Sequence, residues 1–233
     1  SDLILERRPD GWTYRENFSP AATPANTPPA ARFGPARAVH PLPVTAAAST
    51  AQILDVAGNG RPDLVLWQGP LPGLFERDAQ GGWTPFVPFE TLPRIDFDDP
   101  DLRFVDLTGD GRADLLITSD AGLFIHPSRG GAGFDAVRRL PLAPDDRAGP
   151  RLLFSSPAEG EAILLADMTG DGLSDIVRLR HAEVCYWPNL GHGRFGRRVT
   201  MSDAPRFGAR DRFDPRRLRL ADIDGTGTAD LVW

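Results

Sequence analysis

Asp106-Leu-Thr-Gly-Asp-Gly-Arg-Ala-Asp114-Leu is the stretch that decides how the chain folds, because its pattern occurs four times. The other copies are Asp55-Val-Ala-Gly-Asn-Gly-Arg-Pro-Asp63-Leu, Asp167-Met-Thr-Gly-Asp-Gly-Leu-Ser-Asp175-Ile and Asp222-Ile-Asp-Gly-Thr-Gly-Thr-Ala-Asp230-Leu. Successive first aspartates are 51, 61 and 55 residues apart. Each copy follows apolar residues (Ile53-Leu54, Phe104-Val105, Ile163-Leu164-Leu165, Leu218-Arg219-Leu220) and runs into others (Leu64-Val65-Leu66-Trp67, Leu115-Leu116-Ile117, Ile176-Val177). A polar, glycine-bearing loop between two such runs joins two strands.

The repeat reaches beyond the loop. A shift of 61 lays Leu123-Phe124-Ile125-His126-Pro127 on Val184-Cys185-Tyr186-Trp187-Pro188, and carries Gly130 onto Gly191 and Phe134 onto Phe195. The unit is therefore strand, Asp/Gly loop, strand, turn, strand and connecting strand. Repeats of this length and make-up are the signature of β-propeller blades. The expected fold is all-β: a β-propeller of four-stranded blades, about four in this chain, as a single domain or propeller fragment over residues 1–233, with loops at 55–63, 106–114, 167–175 and 222–230.

The two ends resemble parts of the same unit. Leu5-Glu6-Arg7, then Gly11-Trp12-Thr13 and Phe18, matches Phe75-Glu76-Arg77, then Gly82-Trp83-Thr84 and Phe89. The last loop runs only to Leu231-Val232-Trp233, so the first residues carry the outer strands that the last repeat lacks. A four-bladed ring closed within one blade and a window on a larger ring both fit. Residues 20–43, rich in Ala, Pro and Thr, follow neither period and read as an irregular excursion.

Composition agrees. Twenty-four glycines and 23 prolines in 233 residues favour turns over helices, and 41% hydrophobic residues are enough to form a core. The net charge of −6 argues against nucleic-acid binding. All 26 basic residues are arginine, which removes Schiff-base and P-loop lysine chemistry. The lone Cys185, in an apolar run, reads as a small buried hydrophobe. There is no apolar run of membrane-spanning length, so no membrane contact of its own is expected, and no signal-peptide pattern. The missing initiator methionine points to a piece of a longer chain.

Carboxylates at loop positions 1, 3, 5 and 9, with glycine at 6, form a hard-oxygen set suited to Ca²⁺. Loops two and three offer Asp106, Asp110 and Asp114, and Asp167, Asp171 and Asp175, with Thr108 and Thr169 at position 3. Loop four offers Asp222, Asp224 and Asp230, with Thr226 at position 5, and loop one is weakest, with Asp55, Asn59 and Asp63 beside Ala57. The competing reading is a metal-free turn, its aspartates bonded to backbone N–H groups. Any bound Ca²⁺ would be structural.

Elsewhere the signals are thin. His40, His126, His181 and His192 lack zinc spacing and read as turn or surface residues, and Gly191-His-Gly193-Arg-Phe-Gly196 reads as a turn. The arginines 206, 210, 212, 216, 217 and 219 read as a solvated loop paired with Asp211 and Asp214, or as a docking patch for an acidic partner.

The run from Asp167 through Glu183-Val-Cys-Tyr-Trp-Pro-Asn-Leu-Gly-His-Gly-Arg-Phe-Gly196, with Val199-Thr-Met201, Phe213-Asp-Pro-Arg-Arg217 and Leu220-Ala-Asp-Ile-Asp-Gly225, resembles the B component of bacterial insecticidal Tc toxin complexes, the SpvB-like/TcdB family. Leu66-Trp-Gln68, Phe75-Glu-Arg77, Gly82-Trp83 and the run Asp99 to Gly111 share it, and the loop itself is also similar to integrin-type FG-GAP repeats. The resemblance implies a non-enzymatic propeller, secreted as part of a toxin complex. In that family it joins the translocation channel of the A-type component and gates passage of a toxic fragment supplied by the C-type component. A Ca²⁺-dependent adhesin or lectin-like propeller is the alternative, with Trp12, Trp67, Trp83 and Trp187 as candidate surface tryptophans. An enzyme using a carboxylate pair is disfavoured because the carboxylates belong to turns.

Overall fold

The structure, a computed structural model, describes residues 3–8, 11–16, 18, 32–38, 51–78, 82–155, 160–207 and 213–233. These residues are all-β, in antiparallel sheets. Three sheets have four strands in simple sequential order. They are β4 (Ala51–Leu54), β5 (Asp63–Leu66), β6 (Gly73–Phe75) and β7 (Val87–Pro88); β8 (Leu102–Val105), β9 (Asp114–Ser119), β10 (Gly122–His126) and β11 (Arg138–Pro141); and β12 (Glu161–Ala166), β13 (Asp175–Arg180), β14 (Glu183–Trp187) and β15 (Val199–Thr200). A three-stranded sheet holds β1 (Leu3–Arg8), β2 (Gly11–Glu16) and β3 (Arg37–Ala38), and a two-stranded one holds β16 (Arg219–Ala221) and β17 (Asp230–Val232). The chain divides into two compact units, Ser1–Leu92 with Arg129–Gly133 and Pro93–Ser128 with Phe134–Trp233.

The four-stranded repeat read from the sequence is present, and its register is the same in each copy. Leu64 pairs with Phe75, Leu115 with His126 and Ile176 with Trp187, each one residue after the ninth-position aspartate. The second strand of each four-stranded sheet is buried on both faces. Leu64, Val65, Leu115, Leu116, Ile176 and Val177 are wholly inaccessible, which is why these strands read as continuous apolar runs rather than alternating ones.

In the second unit the alternation of side chains sorts the core. Ile163, Ile176 and Trp187 pack with Val105, Leu107, Leu116, Leu123, Ile125 and Phe154, whereas Val177, Leu179 and Val184 pack with Phe207 and Leu218, against which Leu220 and Leu231 also lie. Adjacent residues such as Ile176 and Val177 thus serve opposite faces of one sheet. The fourth strands β7 and β15 are exposed, and β11 nearly so. Their shortness, with Pro88, Pro141 and the Arg138-Arg139 pair, guards edges that could otherwise pair with other chains.

Two polar hubs brace the second unit across long stretches of sequence. Asp101 accepts hydrogen bonds from Thr118 Oγ1 (2.8 Å), Ser155 N (2.8 Å) and Ser155 Oγ (2.5 Å), tying together segments 54 residues apart. Burial opposes ionisation there, but those bonds hold its carboxyl below the ordinary range. Asp146 Oδ2 meets Arg178 (3.2 Å) and Arg198 (2.5 Å), and its carbonyl accepts the Trp187 indole N–H at 2.7 Å. Arg178 also lies over the Trp187 ring, 5.2 Å from its centroid.

Three expectations change. The excursion over residues 20–43 contains β3, which pairs Ala38 with Thr13 and Arg37 with Tyr14; its residues 20–31 and 39–43 lie outside the described residues. His126 is a buried strand residue, not a surface one, with Nδ1 3.0 Å from the carbonyl of Asp135. Trp67 and Trp187 are 3% and 0% exposed and Trp83 is half-buried, so none is a free surface platform. The side chain of Trp12, like His40, Arg210, Asp211 and Arg212, lies outside the described residues.

Candidate functional site

The four Asp/Gly loops are built alike. Glycines at positions 4 and 6 have φ between 72° and 92° in all four, a left-handed conformation that favours glycine. Those two turns aim successive N–H groups at the first aspartate. Asp106 Oδ1 accepts from Thr108 N and Gly109 N (3.1 and 2.7 Å) and Oδ2 from Gly111 N (2.8 Å). Asp167 does the same with Thr169, Gly170 and Gly172. Asp55 and Asp222 accept from the residues at positions 4, 5 and 6. At position 5, Asn59, Asp110 and Asp171 each accept the N–H two residues on. These are Asx-type bonds, each side-chain oxygen standing in for a backbone acceptor.

The ninth aspartate has a different task. Asp114 Oδ2 accepts Leu107 N at 3.0 Å and Oδ1 accepts Ser128 N at 2.7 Å. Asp175 repeats this with Met168 N (2.9 Å) and Asn189 N (2.8 Å). One buried carboxylate thereby joins the loop, the second strand and the residue just past the third. Burial raises the pKa of both, with the two backbone N–H bonds working the other way. Asp63 departs from the pattern. Its Oδ2 accepts Val56 N and Ala57 N (3.0 and 2.9 Å), but Oδ1 is buried with no partner. Its pKa is pushed up to about 6, first by burial and further by the charges of Asp55 and Glu76.

Within the second unit loops two, three and four lie side by side. A Cβ added to Gly109 would come within 3.0 Å of Leu173, and one added to Gly170 within 3.1 Å of Thr228, so position 7 of each loop sits on position 4 of the one before. Ala229 N also donates to Asp167 O at 2.7 Å.

The structure gathers the sequence-derived ligand candidates unequally. Asp222, Asp224 and Asp230 bring three carboxylate oxygens within 4.8 Å of one another, an oxygen set of the kind a divalent hard cation takes. Among the described residues no other three carboxylates come together as closely, because Asp114 and Asp175 are turned to strand-three N–H groups. In loop two Thr108 Oγ1 is buried without a partner. The arginine-rich stretch is largely self-satisfied where it is described. Arg216 forks onto Asp214, Arg219 caps two carbonyls and Arg217 lies over Trp233. Cys185 is fully buried. The Asp101 and Asp146 hubs were not anticipated; both link residues far apart in sequence, and no local pattern marks them.

No protein-family model and no curated protein matches the chain. Solved structures do. A chain of the Photorhabdus luminescens Tc holotoxin pore superposes with a TM-score of 0.71 at 25% identity over 98% of this chain and 10% of that one. A lectin of Agrocybe aegerita that recognises non-reducing terminal N-acetylglucosamine superposes with a TM-score of 0.54 at 20% identity, covering 98% of this chain and 59% of the lectin. The crystal structure of TcdB2–TccC3 without its hypervariable C-terminal region gives 0.51 at 19% identity, over 98% and 12%. The chain spans about a tenth of the length of the Tc toxin chains.

Proposed function

We propose that this chain, whose fold is like that of a Tc toxin B component, is a non-enzymatic scaffold and docking module of a secreted Tc-type toxin complex. Its sheets are the blades of a β-propeller, about four in number, with Asp/Gly loops two, three and four side by side in the second unit. The partners are the A-type channel component, onto which the propeller docks, and the C-type toxin component, whose toxic fragment the propeller gates. The observation that carries this reading is the superposition of nearly the whole chain on a Tc holotoxin chain. The internal chemistry is in keeping with a rigid connector: the position-1 and buried position-9 carboxylates are occupied by backbone N–H groups, which suits them to holding a shape rather than to proton transfer. Loop four is the proposed Ca²⁺ site, held by Asp222, Asp224 and Asp230, where the ion would neutralise three converging charges and stiffen the turn.

A lectin-like propeller is the second reading, favoured by the likeness to the Agrocybe lectin. The burial of Trp67 and Trp187 counts against it, since sugar stacking needs an exposed ring face.

One pull-down separates the two. The chain immobilised on beads should retain a purified Tc channel component and give a flat glycan array. Glycan binding abolished by EDTA, without channel capture, would overturn the scaffold reading. In the same preparation EDTA should lower the melting temperature by several degrees, and an unchanged melting curve would remove the Ca²⁺ site.

A further inference from the structure

Within the second unit, the outer strand β11 of the second four-stranded sheet meets the third sheet along a seam. A Cβ on Gly193, in the turn that follows β14, would run into Ile125 of β10 and come within 3.7 Å of Leu140 of β11. Phe195 and Leu140 pack against the same apolar cluster. Past β11 the contact continues, with Arg198 N donating to Arg147 O at 2.9 Å. Arg138 stands opposite Ile125 in the β10–β11 register, which puts it on the face that Gly193 covers.

Four exposed arginines line this seam: Arg138 on β11, Arg147 beyond it, and Arg194 and Arg197 on the connection from β14 to β15. None of the four makes a salt bridge or a side-chain hydrogen bond among the described residues. The carboxylates of the same segments do not balance them. Asp146 is taken up by Arg178 and Arg198, and Asp145 accepts the N–H groups of Ala148 and Arg147. That leaves Asp135 and Asp145 beside four arginines, on a chain whose net charge is −6. The repeat does not call for these arginines. In the same register the other two four-stranded sheets put Val87 and Val199 where β11 has Arg138, and the shift of 61 puts Gly133 and Ala136 where Arg194 and Arg197 stand. Two large apolar side chains are exposed beside them. Val137, 51% exposed, precedes Arg138, and Leu190, 56% exposed, gives its N–H to Arg194 O at 2.7 Å.

We infer that this seam is a docking surface for an acidic segment of another protein, its carboxylates taken by Arg138, Arg147, Arg194 and Arg197 and its apolar side chains laid on Val137 and Leu190. A guanidinium offers a planar fork that matches a carboxylate, and forks left without partners on an acidic chain are complementary to a negative one. Sulfate and phosphate fit the same fork, so charge by itself does not select a protein. The exposed apolar pair does: apolar side chains flanked by arginine are the make-up of a protein–protein contact, and a sulfated glycan has nothing to lay on them. A long polyanion would also meet the repulsion of the net charge of −6 along its length, which a short acidic segment avoids. The surface lies wholly within the second unit and does not depend on the toxin-scaffold reading.

The test uses the full chain, fluorescently labelled, on an array of synthetic peptides in which Asp and Glu alternate with Leu, Val and Phe at varied spacings. The same slide carries those peptides without their apolar residues, and immobilised heparin. The chain should be held by acidic peptides with apolar residues more strongly than by the purely acidic ones, and retention should fall about tenfold from low to physiological ionic strength. The double variant Arg138→Glu/Arg197→Glu, at two exposed sites, should lose about tenfold in retention with an unchanged circular dichroism spectrum. Arg61→Glu/Arg94→Glu, which makes the same change in net charge at two other exposed arginines, should bind like the parent. The array holds no toxin component, so its outcome is separate from that of the channel pull-down. No peptide retained, heparin held in preference to every peptide, or equal losses in the two double variants would each overturn the proposal.

Discussion

Replacing Asp175 by alanine is expected to lower the unfolding free energy by about 3–5 kcal/mol, measured as a fall in the urea midpoint at unchanged slope. The carboxylate is wholly buried and accepts two backbone N–H groups, those of Met168 and Asn189. Its removal leaves both donors without an acceptor in a site closed to water, each costing about 1–3 kcal/mol, and opens a small cavity besides. Against a typical stability of 5–15 kcal/mol the loss is large. Asp175→Asn is the informative companion. Its carbonyl keeps one of the two bonds but sets an N–H₂ group against the other donor, so it should recover only part of the loss. If both variants fall within about 0.5 kcal/mol of the parent, the carboxylate does not clasp the repeat.

The second large effect is on pH dependence, and it has the opposite sign. Asp63 is fully buried, lacks the third-strand bond and has its pKa raised from 3.8 to about 6 by burial, despite the Ala57 and Val56 N–H bonds. The folded protein therefore holds this proton more tightly than the unfolded chain. Its contribution to stability is fully present below about pH 4, is lost as pH rises to about 6, and is flat above that, a change of about 3 kcal/mol. Asp63→Asn should remove that slope and be more stable than the parent at pH 7.5, with Asp114→Asn destabilising under the same conditions because Asp114 makes both bonds. A parent and an Asp63→Asn variant with parallel stability curves between pH 4 and 7 would contradict the assignment.

The contrast between Asp63 and Asp175 also marks how far the sequence could be read. Loop periodicity, the second-strand runs and the 61-residue shift located the sheets, and the glycines at positions 4 and 6 adopt the turns that the pattern requires. These features are local, set by φ preference and by which strand is buried on both faces. The loss of the third-strand bond at Asp63 is not local: the partner position is occupied by Arg77, and nothing in Asp55 to Asp63 marks the difference. Asp101 and Asp146 were missed for the same reason, since their partners Ser155 and Arg178 lie 54 and 32 residues away. The tryptophans were misplaced because their amphipathic character suits both surface and core. Trp187 turns out to send its N–H to the Asp146 carbonyl from within the apolar cluster.

The central claim is that in the second and third repeats one buried aspartate, Asp114 or Asp175, stitches loop, second strand and third strand into a rigid unit. Amide hydrogen exchange on the intact chain tests it most directly. Ser128 and Asn189 lie just beyond the ends of β10 and β14, where amides ordinarily fray. Bonded to Asp114 and Asp175, their N–H groups should exchange as slowly as the central amides of β9 and β13, and far more slowly than those of Arg112 and Leu173, which are bonded to the exposed Asp110 and Asp171. Exchange of Ser128 and Asn189 at the rate of those loop tips would contradict it.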